Sequence, residues 1–309
     1  MKKNILFLVL TIFFPVFTAQ FPELKPLAQT LPYIDFDTAM QFKQHGHYID
    51  ISKTSAYIGI PYNMLMLFFR NLYEQNSFLW VQPEKNVKIP KIIHQIWIGD
   101  AVPEKFRAFQ ESWKKFHPDW EYRLWTLEDT YTFGFVNFDL IRKSRNPGEI
   151  SDIMRYEILL RHGGVYIDFD FECLRPLDEL NKMYDFYIGI QPLDCGHLQL
   201  GIGLIGSVAG HPILQAAVEQ MRHGWNLPEN LKNPPARTGP VFFTKIFFDN
   251  ANQDGFIDIA LPVSYLYPMP CQDFALKKRK WEQGGSFGIH HWANSWLLPA
   301  FRRDEFKDL

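Results

Sequence analysis

The sequence predicts an α/β domain in which helices cover both faces of a mostly parallel, mixed sheet. From residue 89 onward, short apolar runs bounded by glycine or proline alternate with stretches whose apolar residues recur at helical spacing. Parallel strands need crossover connections, which helices supply, and the strands are then buried on both faces. A hydrophobic fraction of 47% with 21% charged residues is that of a globular protein and excludes a disordered chain or a coiled coil.

The first predicted strand covers residues 89–99, an apolar run that ends in glycine. A helix is predicted over 103–117, with proline in its first turn and Phe106, Phe109 and Trp113 at helical spacing. Further strands are predicted at 121–125, 165–170, 185–191, 198–206 and 257–263, and further helices at 149–162, 212–222 and 240–249. Upstream, the apolar residues 57–69 predict a core or interfacial helix.

The N-terminus predicts a signal peptide or a membrane anchor. Two lysines precede a nearly uninterrupted apolar run at 5–17, but this run is shorter than the ~20 residues of a typical spanning helix. A buried N-terminal helix is the alternative. The predicted organisation is a signal or anchor at 1–19, an N-terminal extension at 20–87, one α/β domain at 88–300 and a tail at 301–309.

The charge of the chain argues against one class of partner, and its cysteine count limits the number of disulfides. A net charge of −2, from 32 basic and 34 acidic residues, with no long basic run, argues against nucleic-acid binding. Three cysteines, Cys173, Cys195 and Cys271, exclude a disulfide framework and leave room for one bridge.

Residues 151–170 contain the most informative pattern in the chain. Asp152 and Arg155 are three positions apart on the helix predicted at 149–162, so they share one face. A Gly-Gly turn then leads into a strand on which Asp168, Asp170 and Glu172 alternate with aromatic residues, which places three carboxylates on one side.

This acidic strand end predicts a metal site. Open α/β sheets bind ligands at the carboxyl ends of their strands, and hard oxygen ligands suit Mg²⁺ or Mn²⁺. The alternative is a solvated strand end, or ion pairs from the carboxylates to Arg155 and Arg175.

Four ordered motifs carry a resemblance that spans about residues 88–298. They are the strand at 89–99, the acidic segment at 151–170, the Arg-Thr-Gly-Pro sequence at 237–240, and His-His-Trp-Ala-Asn-Ser-Trp at 290–296. The chain resembles glycosyltransferase family 32, whose sugar-binding region contains a DXD motif. That family includes yeast-type α-mannosyltransferases and inositol phosphoceramide mannosyltransferases.

The resemblance implies a GT-A type fold and a retaining hexosyltransferase. The expected donor is a nucleotide-sugar, with mannose favoured, and the expected acceptor is a glycan or glycolipid. Mn²⁺ or Mg²⁺ is the implied cofactor. Membrane association through the N-terminus and a secretory-pathway location, Golgi-like in a eukaryotic or viral source, are further expectations.

The resemblance also assigns roles to individual residues. The implied catalytic residues are Asp152, Arg155, Asp168 and Asp170. The implied metal ligands are Asp168, Asp170 and His290. The implied donor-binding residues are Trp97, Asp152, Arg155, Gly164, Tyr166, Asp168, Thr238, Gly239, Trp292, Ser295 and Trp296, the last three as a lid over the diphosphate.

Retention leaves two mechanisms open. A double displacement needs a carboxylate nucleophile, for which Asp194 and Asp273 are available, whereas same-face attack uses the leaving phosphate as the base. We favour same-face attack. A metal-dependent phosphoesterase and a catalytically inactive sugar- or nucleotide-binding relative are the competing functions.

Overall fold

A computed structural model describes residues 31–227, 233–272 and 285–294. Its α-helices are α1 Phe36–Ala39, α2 Phe42–His45, α3 Ile51–Ile58, α4 Tyr62–Asn76, α5 Arg107–Phe116, α6 Phe138–Lys143, α7 Pro147–His162, α8 Asp178–Met183, α9 Pro212–Gly224, α10 Pro234–Arg237, α11 Pro240–Asn250 and α12 Val263–Leu266. Its strands are β1 Ile92–Trp97, β2 Glu121–Thr126, β3 Gly164–Ile167, β4 Phe171–Cys173, β5 Phe186–Ile190, β6 Leu200–Ser207, β7 Asp258–Leu261 and β8 Gly288–His290.

Six strands form the main sheet in the order β2-β1-β3-β6-β5-β7. The pairs β1–β2, β1–β3 and β5–β7 are parallel, while β6 runs antiparallel to both β3 and β5. β4 and β8 form a separate antiparallel pair. Every residue of β3, β5, β6 and β7 is buried, so both faces of the sheet are covered. The predicted α/β class with a mixed, mostly parallel sheet is confirmed.

Helix α7 carries Asp152 and Arg155 and packs against the main sheet. Asn146 caps it by accepting a hydrogen bond from the Gly148 amide at 2.8 Å, and Pro147 occupies its first turn. The helix is buried from Glu149 to Leu159 and contacts β1, β3 and β6. It ends at Gly163, and β3 begins at the next residue, as the Gly-Gly pair predicts.

The described part of the N-terminal extension, residues 31–87, packs into the same core as the sheet. Phe36, Leu65, Phe69 and Tyr73 are buried in one hydrophobic cluster with residues of the main sheet. Helix α4 contacts β7, which is an edge strand. The extension therefore covers one edge of the sheet, rather than standing apart from it.

The apolar segment 57–69 does not form one helix. It is divided between α3 and α4 by Gly59, whose φ of +77° is left-handed, and by Pro61. Within the described ranges, no helix has both the length and the apolar composition needed to cross a membrane. The predicted signal or anchor at 1–19 and the tail at 301–309 lie outside the described residues.

Candidate active site

The two aspartates of the predicted motif lie in the turn that follows β3. β3 ends at Ile167, so Asp168 and Asp170 lie beyond the strand and Glu172 lies on β4. The Asp168 amide donates to the Gly203 carbonyl at 2.7 Å, which ties the turn to β6. The prediction that three carboxylates share one side of a strand is wrong, because Glu172 pairs instead with His291 at 2.9 Å.

Asp168, Asp170 and His290 form a cluster of possible metal ligands within 4.8 Å of one another. His290 Nε2 lies 3.1 Å from Asp170 Oδ1 and 3.7 Å from Asp168 Oδ2. The other carboxylate oxygens are already engaged. Asp170 Oδ2 accepts from the Ala293 amide at 2.7 Å, and Asp168 Oδ1 accepts from the Tyr166 hydroxyl at 2.5 Å. Each aspartate therefore has one anchored oxygen and one oxygen facing the cluster.

The donor set of this cluster fits a divalent cation. The buried Nδ1 and Nε2 atoms of His290 make no hydrogen bond with the part of the chain that the structure describes. Burial lowers the pKa of His290, but Asp170 and Asp168 outweigh that effect and raise it to about 9. The cluster thus favours a positive charge at its centre, and two oxygens with one imidazole nitrogen match the preferences of Mn²⁺.

Arg155 is a buried bridge between Asp152 and Asp168. Its Nη2 lies 3.1 Å from Asp152 Oδ1, and its Nη1 lies 3.4 Å from Asp168 Oδ1. Nη1 also donates to the Ile202 carbonyl at 2.7 Å, and Nη2 donates to the Ser151 hydroxyl at 3.1 Å. Arg155 has a relative exposure of 4%, so its guanidinium donates its hydrogen bonds within the protein. It thereby holds the two acids in fixed positions.

The environments of the two acids separate their protonation behaviour. Burial raises the pKa of Asp152 to about 6, although Arg155 and Thr238 oppose that shift. Burial also acts to raise the pKa of Asp168, but Arg155 and His290 outweigh it, and the net pKa is lowered. Asp168 therefore stays ionised at neutral pH, while Asp152 titrates at a pH close to neutral.

The segment joining α10 to α11 is tied to α7 beside Asp152. The Thr238 hydroxyl donates to Asp152 Oδ2 at 2.8 Å, and the Tyr156 hydroxyl donates to the Thr238 carbonyl at 2.7 Å. Arg237 Nε donates at 2.5 Å to the buried Glu149, which lies one turn before Asp152 on α7. Sequence reasoning missed Glu149, whose partner lies 88 residues away along the chain.

The acidic and basic groups at the centre of the site face a cleft of about 510 Å³. Trp97, Tyr166, Gly239 and Trp292 also line it, together with the five residues Asp152, Arg155, Asp168, Asp170 and His290. The buried Nε1 of Trp97 makes no hydrogen bond among the described residues, whereas Trp292 Nε1 donates to the Met269 carbonyl at 3.0 Å. The size lies within the range of ordinary ligand pockets, about 300–1,000 Å³.

The structure places other predicted donor-binding residues away from the cleft surface. Gly164 has a φ of +96° inside the sheet, where a Cβ atom would lie 2.7 Å from the Ile92 carbonyl oxygen. Its role is close backbone packing. Thr238 is fully buried behind Asp152, so it contacts that carboxylate instead of lining the cleft. Ser295 and Trp296 lie outside the described residues.

Part of the cleft wall comes from residues that no motif indicated. Tyr57, on α3, and Gln191, His197 and Gln199, between β5 and β6, line it as well. Nothing in the local sequence around these positions signals a site, because they converge only through the tertiary fold.

Part of the chain matches a known protein family. Residues 103–187 match the family model described as a glycosyltransferase sugar-binding region containing a DXD motif. The predicted resemblance to DXD-motif glycosyltransferases is confirmed. The matched glycosyltransferase region contains Asp152, Arg155, Asp168 and Asp170, whereas His290 lies outside it.

Curated relatives point in the same direction. The chain is 31% identical over 202 residues to a mannosyl phosphorylinositol ceramide synthase of Saccharomyces cerevisiae, covering 62% of this chain and 51% of that protein. It is 32% identical over 210 residues to an inositol phosphoceramide mannosyltransferase of Schizosaccharomyces pombe, covering 64% and 56%. The chain thus spans about half the length of these relatives.

Among solved structures, the PaToxG glycosyltransferase aligns with a TM-score of 0.44 at 18% identity, covering 65% of this chain and 81% of that one.

Proposed function

We propose that this protein is a metal-dependent, retaining glycosyltransferase that moves a hexose, with mannose favoured, from a nucleotide-sugar to a glycan or glycolipid. The observation that carries the proposal is the convergence of one free oxygen from Asp168, one from Asp170 and the buried imidazole of His290. Breaking a bond between a sugar and a diphosphate needs charge neutralisation on the leaving group. These three residues would hold a divalent cation, which would supply that neutralisation.

The remaining side chains have separate tasks in this proposal. Asp152 lines the cleft and accepts hydrogen bonds from donor-sugar hydroxyls, with its carboxylate oriented by Thr238. Arg155 positions Asp152 and Asp168 relative to each other. The Trp97 indole N–H, unpaired among the described residues, is available to donate to the nucleotide-sugar. Together they orient the donor before its sugar bond breaks.

Same-face attack remains the preferred route to retention. Both carboxylate oxygens of Asp194 accept backbone hydrogen bonds, from Cys271 at 3.0 Å and Gln272 at 2.7 Å, so this residue is engaged in holding a loop. Asp273, the other acid available for a double displacement, lies outside the described residues. Trapping a glycosyl adduct on any carboxylate would overturn same-face attack.

The proposal is tested by donor turnover with the full chain against a nucleotide-sugar panel, in Mn²⁺ or in EDTA. We expect one donor to release nucleoside diphosphate and free sugar with Mn²⁺, and Asp170→Asn to abolish that release. Release of sugar 1-phosphate would indicate a phosphoesterase instead. Binding of a nucleotide-sugar without any turnover would indicate an inactive relative.

The adjacent histidines provide a matched pair for the metal. His290 lies in the cluster, whereas His291 pairs with Glu172 outside it. His290→Gln should raise the Mn²⁺ concentration for half-maximal turnover by roughly tenfold or more, while His291→Gln should change it by less than about twofold. Equal effects of the two substitutions would remove His290 from the metal site.

A further inference from the structure

One wall of the cleft lies outside the family-matched region and has a chemistry of its own. We call it the Tyr57 wall; its residues are Tyr57, Gln191, Cys195, His197, Gln199 and Cys271, and all of them line the cleft. Tyr57 belongs to α3 of the N-terminal extension, and the others lie in the segments before β6 and after α12.

A pair of stacked rings forms the centre of the Tyr57 wall. The ring centroids of Tyr57 and His197 are 4.5 Å apart, with an interplanar angle of 27°. The Tyr57 hydroxyl donates to Asn233 Oδ1 at 3.3 Å, which fixes its tip. Burial raises the pKa of Tyr57 and lowers that of His197, so both rings are neutral at pH 7. Both residues line the cleft, and the C–H face of a sugar ring packs on uncharged aromatic rings of this kind.

Two buried polar atoms of the Tyr57 wall, one of them in the His197 ring, have no hydrogen-bond partner among the described residues. Gln199 Nε2 donates to Gln191 Oε1 at 2.7 Å, which orients both amides. Gln199 Oε1 and His197 Nδ1 are buried and make no hydrogen bond with the described part of the chain. Since buried polar groups are normally paired, these atoms are suited to hydroxyl groups of a ligand.

The Tyr57 wall is close to the carboxylate cluster. Gln199 immediately precedes β6, and Gly203, four residues later, contacts Asp168. The backbones of Gln199 and Gly203 are therefore at most about 14 Å apart. Asn233, which accepts the hydrogen bond from Tyr57, begins the segment that leads through α10 to Thr238, the partner of Asp152. A ligand on this wall therefore adjoins the space assigned to the donor sugar.

The wall is also held in place before any ligand binds. A disulfide joins Cys195 to Cys271. Asp194 accepts hydrogen bonds from the amides of Cys271 and Gln272, which fastens the same two segments a second time. Such preorganisation reduces the entropic cost of binding.

We propose that the Tyr57 wall is the acceptor subsite and that it binds a neutral saccharide ring. One face of this ring stacks on the Tyr57–His197 pair, and its hydroxyls donate to Gln199 Oε1 and His197 Nδ1. The assignment rests on the proposed glycosyltransferase function. It gives the N-terminal extension a direct part in acceptor selection.

The test measures acceptor and donor separately with the full chain. Methyl α-mannopyranoside and methyl β-galactopyranoside serve as acceptor probes, with transfer followed by mass spectrometry and binding by saturation-transfer NMR. For the glycoside that the wild type uses, Tyr57→Ala should raise the acceptor KM roughly tenfold. The rate of donor hydrolysis without acceptor should change much less. Tyr57→Phe, which keeps the ring, should restore most of the affinity. Tyr131→Ala, at an exposed tyrosine outside the cleft, should match the wild type.

The outcomes separate this inference from the proposed function. An unchanged acceptor KM in both Tyr57→Ala and His197→Ala would overturn the subsite while leaving donor hydrolysis, and thus the enzyme, intact. If no donor is hydrolysed, the proposed function fails. NMR then still tests the subsite, because glycoside binding to the wild type that is lost in Tyr57→Ala would support it. Absence of both transfer and binding for every probe would overturn it.

Discussion

The hydroxyl of Thr238 donates a hydrogen bond to Asp152 across 2.8 Å, although the two residues are 86 positions apart. Asp152 lines the cleft and Thr238 lies fully buried behind it. The contact therefore couples the start of α11 to the acid whose pKa burial raises to about 6.

Replacing Thr238 should shift the pH dependence of turnover. The hydroxyl stabilises the ionised form of Asp152, so Thr238→Val should raise the pKa of that carboxyl above about 6. The acidic limb of the kcat/KM profile then moves to higher pH, and at pH 6 the rate falls roughly tenfold or more. Thr238→Ser should return the profile to the wild-type position. A profile that Thr238→Val leaves in place would show that Asp152 does not govern this limb.

Gly203 leaves room for Asp168, so a methyl group there should damage the metal site. A Cβ at this position would lie 2.8 Å from Asp168 Oδ2 and 3.4 Å from His290 Nε2. Gly203→Ala should reduce metal-dependent turnover at least roughly tenfold and weaken Mn²⁺ binding, measured by calorimetry. Gly46→Ala is the matched control, because its Cβ would meet only ordinary contacts at 3.5 Å or more. Equal Mn²⁺ affinities in the two variants would contradict this reading.

His94 should make the fold sensitive to acid. Its Nε2 lies 2.9 Å from the Gly163 carbonyl oxygen and its Nδ1 accepts from Trp125 at 3.0 Å, so the imidazole is held neutral. Burial lowers the pKa of His94 from 6.5 to about 4. As pH falls below 6.5 the unfolded chain takes up this proton first, and stability is lost until the pH reaches about 4. The loss should be about 3 kcal/mol.

Urea unfolding at several pH values between 7.5 and 4 measures this effect. His94→Gln should lower the free energy of unfolding at pH 7.5 but flatten its decline toward acid. If the variant and the wild type lose stability in parallel, His94 does not contribute to acid sensitivity.

Reduction should destabilise the protein through the Cys195–Cys271 disulfide. The bridge closes a loop with a sequence separation of 76 residues. Chain-entropy arguments give about 4 kcal/mol for such a loop, which a reductant or Cys271→Ser should remove from the free energy of unfolding. The remaining cysteine, Cys173, is buried and free, so Cys173→Ser should leave the reductant effect unchanged. Identical urea midpoints for the wild type with and without reductant would refute this role.

The sequence alone predicted which charged residues converge better than it predicted where the strands beside them end. Short apolar runs located β1, β2, β3, β5, β6 and β7, and helix start and stop signals located α5 and α7, whereas the three-residue strands β4 and β8 were not predicted. The pairing of Asp152 with Arg155 followed from helical geometry and is observed at 3.1 Å. His290 was placed with the aspartates only through the family motif, and the structure brings all three together.

The remaining features depend on contacts between distant parts of the chain. Asp168 and Asp170 lie in a turn because β3 ends at Ile167, a boundary that alternating residues do not reveal. Tyr57 reaches the cleft through α3 and stacks on His197, 140 positions later. Local patterns carry no information about such encounters, so the Tyr57 wall was not predicted.

The packing of the N-terminal extension has a consequence for how the chain is made. Tyr265 accepts a hydrogen bond from the Ile34 amide, 231 positions earlier, and its hydroxyl lies 2.8 Å from that of Tyr73. Helices α1 and α4 are synthesised well before α12 and β7, which α1 and α4 respectively contact. Domains rich in such long-range contacts fold slowly and expose apolar surface meanwhile. The apolar faces of α1 and α4 therefore lack these partners until β7 and α12 have been synthesised, which leaves apolar surface exposed on the growing chain.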